Sequence, residues 1–213
     1  MFDFCSMRIL LVAATYREIA PFLSTYPDAH FLITGVGTPS VLYHLTRHLT
    51  LNEYDVVLQA GIAGAAPDYK PDSGVVVVAR DAFAHSGVWE DDTLFTLQEK
   101  GLAQRESWLV NPHKEMIQTL GLPLADAVTV DLIHNHPALL QQVAAKYAAH
   151  MESMEGAALH FVCLNEAIPF IQLRAISNVF GDRDKRNWKI DSAIELLNQQ
   201  IKQVYLTLTN GNA

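Results

Sequence analysis

Two acids and one amide stand out by where they fall relative to apolar runs. Glu18 lies one short turn after the run 8–13 (RILLVA), Glu155 closes the extended stretch 150–155, and Asn178 closes the apolar run 169–177. A carboxylate can hold sugar hydroxyls, offset a developing positive charge or deprotonate a water, and a carboxamide can donate and accept at once on a heteroaromatic ring. Taken singly, each residue reads as a helix cap or a surface group. Taken together, at the ends of strands running the same way in one sheet, they converge on a single cleft.

Other features offer weaker chemistry. Gly35-x-Gly37-x-x-Ser40 imitates a dinucleotide turn with serine in the third place, and it follows the second apolar run rather than the first. Gly61-Ile62-Ala63-Gly64 closes the third run, so both segments read as glycine turns able to aim backbone amides at a ligand. No Gly-Lys-Ser or Gly-Lys-Thr loop and no Gly-x-Ser-x-Gly elbow occurs. His44 and His48 share a helix face and His134 and His136 flank one residue, yet neither pair has a local third ligand, so no metal is expected. Segment 181–189 (GDRDKRNWK) follows a strand end and reads either as a solvated loop or as a ligand loop carrying Arg183, Lys185 and Arg186.

These residues need elements to position them. The runs 8–13, 30–34, 55–60, 74–79, 127–132 and 169–176 suit strands covered on both faces. Helical spacing occupies 41–49, 112–120, 137–147 (opened by its proline), 156–166 and 191–208 (capped by Asp191). Such alternation predicts an α/β fold: a single domain over 1–213 with a mixed, largely parallel central sheet flanked by helices, and residues 1–6 as a disordered leader before Met7. With 213 residues, half of them hydrophobic, the chain can bury a sizeable core. A net charge of -8 disfavours a partner such as nucleic acid, and no apolar stretch approaches a membrane span. Cys5 and Cys163 lie far apart and read as reduced thiols of a cytoplasmic protein.

The segment Met151-Glu152-Ser153-Met154-Glu155-Gly156-Ala157-Ala158 is followed by Val162-Cys163, Pro169-Phe170 and Arg174-Ala175-Ile176-Ser177-Asn178. In order and spacing this resembles the Met-Glu motif, helix and Arg-x-Ile-Ser-(Asp or Asn) strand of the nucleoside phosphorylase and nucleosidase superfamily. The likeness is greatest to hydrolases related to methylthioadenosine nucleosidase. Residues 7–18, Gly35-Val36-Gly37, Gly61-x-Ala63-Gly64 and 74–84 with His85 extend it over nearly the whole chain.

The resemblance implies cleavage of a purine N-glycosidic bond without a cofactor, on a small-molecule nucleoside, in a homo-oligomer. It implies that Glu155 binds the ribose hydroxyls, that Met154 packs on the sugar and that Glu18 activates the attacking water. Val130 falls near the family's base-binding segment. Adenine-specific members carry Asp where this chain has Asn178. An amide accepts from a protonated nitrogen 7 while donating to a 6-oxo group, so hypoxanthine is the implied leaving base. The basic loop would then pair with a carboxylate beyond the sugar, while His85 and Asp81 read as core or surface residues. A phosphorylase is the nearest rival, set back by the absence of a cation at Gln59-Ala60-Gly61. A nucleotide-binding module without glycosidic chemistry is the second.

Overall fold

In the computed structural model, which describes residues 7–210, the expected alternation is present with additions. The strands are β1 (Ile9–Ala13), β2 (Phe31–Ile33), β3 (Val56–Ala65), β4 (Val75–Phe83), β5 (Gly87–Glu90), β6 (Thr93–Thr96), β7 (Leu109–Val110), β8 (Leu124–Thr129), β9 (Met151–Ser153) and β10 (Phe170–Val179). The helices are α1 (Tyr16–Thr25), α2 (Thr38–Leu51), α3 (Lys114–Gln118), α4 (Pro137–Tyr147), α5 (Gly156–Glu166) and α6 (Ile190–Asn210). The expected leader and Cys5 lie outside the described residues. No described helix is long and apolar enough to cross a membrane.

Helix α1 and the β5–β6 hairpin were not anticipated. The signal for α1 was Thr15-x-x-Glu18, a capping-box pattern ahead of Ile19, Phe22 and Leu23, all three of which are buried. Helix α6 starts one residue before Asp191, whose carboxylate accepts from Arg17 Nη2 at 2.7 Å instead of capping the helix.

The main sheet runs β10-β4-β8-β9-β3-β1-β2, and an added β10–β3 pairing closes five of its strands into a ring. Parallel pairing joins β1 to β2 and β3, β3 to β10, and β8 to β4 and β9. Antiparallel pairing joins β10 to β4, β3 to β9 and β4 to β7. The sheet is therefore mixed, as expected, but β9 runs against β3. The premise that Glu155 and Asn178 close strands pointing at one edge does not hold. Glu155 instead reaches the cleft because short β9 descends beside the tail of β3, pairing Ala65 with Met151 and Gly64 with Glu152.

One further expectation does not hold. Strand β3 continues through Gly61 and Gly64, which are strand residues in register with Arg174 and Asn178, not a turn. Asn178, the penultimate residue of β10, stands at the strand's end as expected. Apolarity with few large side chains past Ala60 concealed the continuation, because glycine-rich sequence ordinarily marks a strand's end.

Alternation along β1 builds the two faces. Ile9, Leu11 and Ala13 pack with Leu58, Leu173 and the α6 residues Leu197 and Ile201. Leu10 and Val12 pack with Val41 and Leu45 of α2 and Leu159 and Val162 of α5. The start of α5 lies very close to the sheet, because a Cβ on Gly156 would come within 2.1 Å of Asp81 Oδ2 and Gln172 Nε2.

Asp81 is fully buried there, accepting from Ala82 N at 2.8 Å, Thr129 Oγ1 at 3.0 Å and Gln172 Nε2 at 3.1 Å. Burial pushes its carboxyl up to about 6, although these hydrogen bonds and the Arg174 charge oppose the rise. The folded chain keeps this proton in a range where the unfolded chain, with a carboxyl near ~4, has lost it. Stability contributed by Asp81 is thus full below about pH 4 and declines as pH rises towards about 6. Asp81→Asn should flatten the dependence of melting temperature on pH in that window, with Gln172 turning its unpartnered Oε1 towards the new amide. A slope identical to the wild type's would refute this assignment.

Candidate active site

A cavity of about 370 Å³ opens beside Ala14–Glu18, the second half of β3, the β9–α5 junction and β10, with the start of α6 at its rim. Glu18, Val130, Met154, Glu155 and Asn178 all line it. The structure thus brings together the principal residues selected from the sequence.

Glu18 is the third residue of α1. Its Oε2 accepts from Thr15 N and Thr15 Oγ1, both at 2.9 Å, and its Oε1 accepts from Ile62 N at 3.3 Å. The helix-cap reading and the catalytic reading of this acid therefore coincide: the cap is what immobilises the carboxylate at the cavity wall.

Glu155 precedes α5. Its Oε1 accepts from Gly37 N at 3.1 Å, and its Oε2 lies 3.8 Å from Arg174 Nη1. Burial raises its carboxyl above the ordinary glutamate value, and the neighbouring Glu18 charge adds to the rise, while Arg174 and the Gly37 amide oppose it. Gly37 has a φ of 91°, a conformation that disfavours any side chain, and this turns its N–H towards Glu155. Thr38 N, next along, donates to Asp131 Oδ1 at 3.0 Å. Gly37 N and Thr38 N are thus taken by the protein's own carboxylates, while Gly35 N donates to Ala14 O at 3.1 Å.

Arg174 is the arginine of the Arg-x-Ile-Ser-Asn strand, a position to which the sequence alone assigns no chemistry. It is 1% exposed, donates from Nη2 to Gln59 Oε1 at 2.7 Å and reaches Glu155 over Gly61. A cation does therefore stand beside the end of Gln59-Ala60-Gly61, supplied by the neighbouring strand. Register explains both glycines of β3. A Cβ at 61 would meet Arg174 Nη1 at 2.1 Å and Glu18 Oε1 at 3.2 Å, and one at 64 would meet Asn178 Nδ2 at 3.1 Å. Gly61→Ala should displace the guanidinium, lowering stability by about 1–3 kcal/mol and turnover by more than tenfold. A melting curve and a base-release assay check this, and a fully active variant would contradict it.

Asn178 accepts from Ser177 Oγ at 2.7 Å and donates to Val179 O at 3.0 Å, leaving one acceptor site and one N–H free for the cavity. Val130 is both core and wall, 3% exposed and packed with Ala82 and Val128.

Arg183, Lys185 and Arg186 do not form the wall. The Arg186 fork is committed to Asp184, with Nε 2.8 Å from Oδ1, whereas Arg183 lies 5.5 Å from the centroid of Trp188, which does line the cavity. Arg17, Ile133 and Trp188 are wall residues that pattern alone did not single out. His85 sits in a separate cavity with Trp89 and Leu132, and His48 stacks on Tyr54.

Comparison with known proteins bears on this arrangement. The model of the phosphorylase superfamily matches residues 28–209. A futalosine hydrolase of Thermus thermophilus is 29% identical over 92% of this chain and 94% of its own length. One from Acidothermus cellulolyticus is 28% identical over 79% of this chain and 72% of its own length. Among solved structures, the methylthioadenosine/S-adenosylhomocysteine nucleosidase of Campylobacter jejuni superposes with a TM-score of 0.76 at 19% identity, over 96% of this chain and 99% of the other. The native futalosine hydrolase of Helicobacter pylori gives 0.75 at 15% identity, over 95% and 98%. At those identities the structural likeness speaks for the fold.

Proposed function

The chain belongs to the phosphorylase superfamily, and we propose that it hydrolyses the N-glycosidic bond of futalosine, releasing hypoxanthine and leaving dehypoxanthine futalosine, in menaquinone biosynthesis. The observation that carries hydrolysis over phosphorolysis is the state of the amides at the start of α2. Both Gly37 N and Thr38 N already bond carboxylates, Glu155 and Asp131. An incoming phosphate would meet two negative charges there, and Arg174, the nearby cation, is committed to Gln59 and Glu155. The named relatives and Asn178 support futalosine and a 6-oxopurine as the substrate class.

In this reading Glu155 accepts from the ribose 2- and 3-hydroxyls and lies under the cationic sugar as the bond to the base lengthens. Met154 packs on the sugar. The bonding pair passes into the purine, whose nitrogen 7 takes a proton from solvent. Asn178 accepts from that N–H and donates to the 6-oxo group. Water adds to the anomeric carbon and loses its proton to Glu18. Val36 and Ile133, apolar and exposed at the cavity wall, support the homo-oligomer expected from the sequence. The buried free thiol of Cys163 suits the cytoplasm.

Of the three loop cations, Arg183 beside Trp188 is best placed for the substrate carboxylate. Arg183→Ala should raise KM for futalosine several-fold and leave inosine, which lacks that carboxylate, unchanged. Equal effects on both substrates would remove Arg183 from the binding model.

The reading is tested by hypoxanthine release, coupled to xanthine oxidase, from futalosine, inosine and 6-amino-6-deoxyfutalosine, with and without phosphate. Rapid release from futalosine without phosphate is expected. Phosphate-dependent release, or a preference for inosine, would overturn the proposal.

A further inference from the structure

We infer that Glu152 is a base-selecting residue, its carboxylate accepting the N1–H of a 6-oxopurine whose other edge is read by Asn178. This role rests on the hydrolase reading of the same site.

Register makes the argument. Gly64 pairs with Asn178 on one side and with Glu152 on the other, so the two polar side chains flank a glycine. Two strand spacings put their backbones about 10 Å apart, and Gly64 leaves the floor between them bare. A flat purine can lie there with its nitrogen 7 edge towards one strand and its nitrogen 1 edge towards the other. Met151, next to Glu152, is fully buried against Val76, Val78 and Ala127, so alternation along β9 turns Glu152 to the cavity, which it lines.

Its carboxylate has no hydrogen bond or ion pair within the described residues, although the groups around it are well satisfied. Ser153 Oγ accepts from Gly156 N at 3.3 Å, Glu155 holds Gly37, and Asn178 holds Ser177 and Val179. A half-buried acid that has no protein partner and lines the cavity points to a donor on the ligand. Burial raises this carboxyl to about 7, with the Arg183 charge opposing, so a donor arriving from the ligand would favour the ionised form.

The chemistry is selective. A carboxylate only accepts; a 6-oxopurine offers N1–H, whereas a 6-aminopurine offers a lone pair at the same place. Ionised, as it is at pH 8, Glu152 would welcome the first and repel the second, at the ring edge that Asn178 does not reach.

Glu152→Gln and Glu152→Ala test this. Calorimetric affinities for hypoxanthine and adenine should show the wild-type preference for hypoxanthine falling roughly 10- to 100-fold in both variants. The Gln side chain can donate to adenine, and Ala no longer repels it. The kcat/KM ratio of futalosine to 6-amino-6-deoxyfutalosine should fall in parallel. Replacing a half-buried acid that has no protein partner should leave the melting temperature at pH 8 undiminished, which separates lost selectivity from lost fold. If both variants keep the wild-type ratios while the wild type cleaves futalosine, the role of Glu152 is overturned and the proposed function stands. If the base preference collapses in the variants but the wild type leaves futalosine intact, Glu152 is upheld and the proposed reaction falls.

Discussion

Glu18→Gln should lower kcat by about 10²- to 10⁴-fold with little change in KM. The amide keeps an oxygen for Thr15 N and Thr15 Oγ1, so α1 remains capped and the side chain stays at the cavity wall. What it loses is the capacity to take a proton from water. The cost to folding should be small, about 1 kcal/mol, because the second amide atom faces the Ile62 N–H, which Glu18 Oε1 satisfies in the native chain. Single-turnover release of base, read beside a melting curve, separates the two effects. A variant retaining a third or more of wild-type kcat would show that Glu18 is only the cap of its helix.

Glu155→Gln should be nearly as damaging, lowering kcat by about 10²- to 10³-fold, and it should destabilise more than the first. The carboxylate is both the proposed partner of the ribosyl cation and the counter-charge of Arg174, whose guanidinium is buried. Neutralising it leaves Arg174 with Gln59 as its hydrogen-bond partner and should cost about 1–3 kcal/mol. In the wild type, the acid limb of the kcat profile should lie above the ordinary glutamate range, because burial lifts the Glu155 carboxyl and only its ionised form offsets a cation. Activity on this account is lost as pH falls through that raised value. Glu18→Gln removes a like charge that contributes to the rise, so its residual activity should show the acid limb moved to lower pH. Limbs that superpose would mean the two acids are not coupled.

The two experiments also separate readings that composition leaves together. A nucleotide-binding module would keep its ligand affinity in both variants and release no base in any. A phosphorylase would respond to Glu155→Gln but not to the loss of a water-activating acid. The expected pattern, with both variants impaired and the second the more destabilised, follows from the distinct partners of the two carboxylates.

Much of the site was legible because its local signals are short-range. The β1 run, the acid Glu18 one short turn after it and the segment from Met151 to Ala158 each depend on a few consecutive residues. Side-chain type at 178 likewise speaks for itself, since an amide and an acid present different donors to a purine. Arg174 was harder to place: within an apolar strand it reads as one more motif position, and only the paired strand shows that Gly61 clears a path for it.

The amino-acid sequence by itself determined the alternation of strands and helices, the apolar faces that bury them, and the residue types available for glycosidic chemistry, because period and composition act along the chain. The tertiary structure alone decided that β9 runs against β3, that the Gly61 and Gly64 segment is strand rather than turn, and that the amides of the Gly37 turn serve protein carboxylates. It also set Glu152 and Asn178 on either side of Gly64. Register and strand direction are pairings between distant segments, and a residue's own neighbours carry no record of which distant backbone it will face.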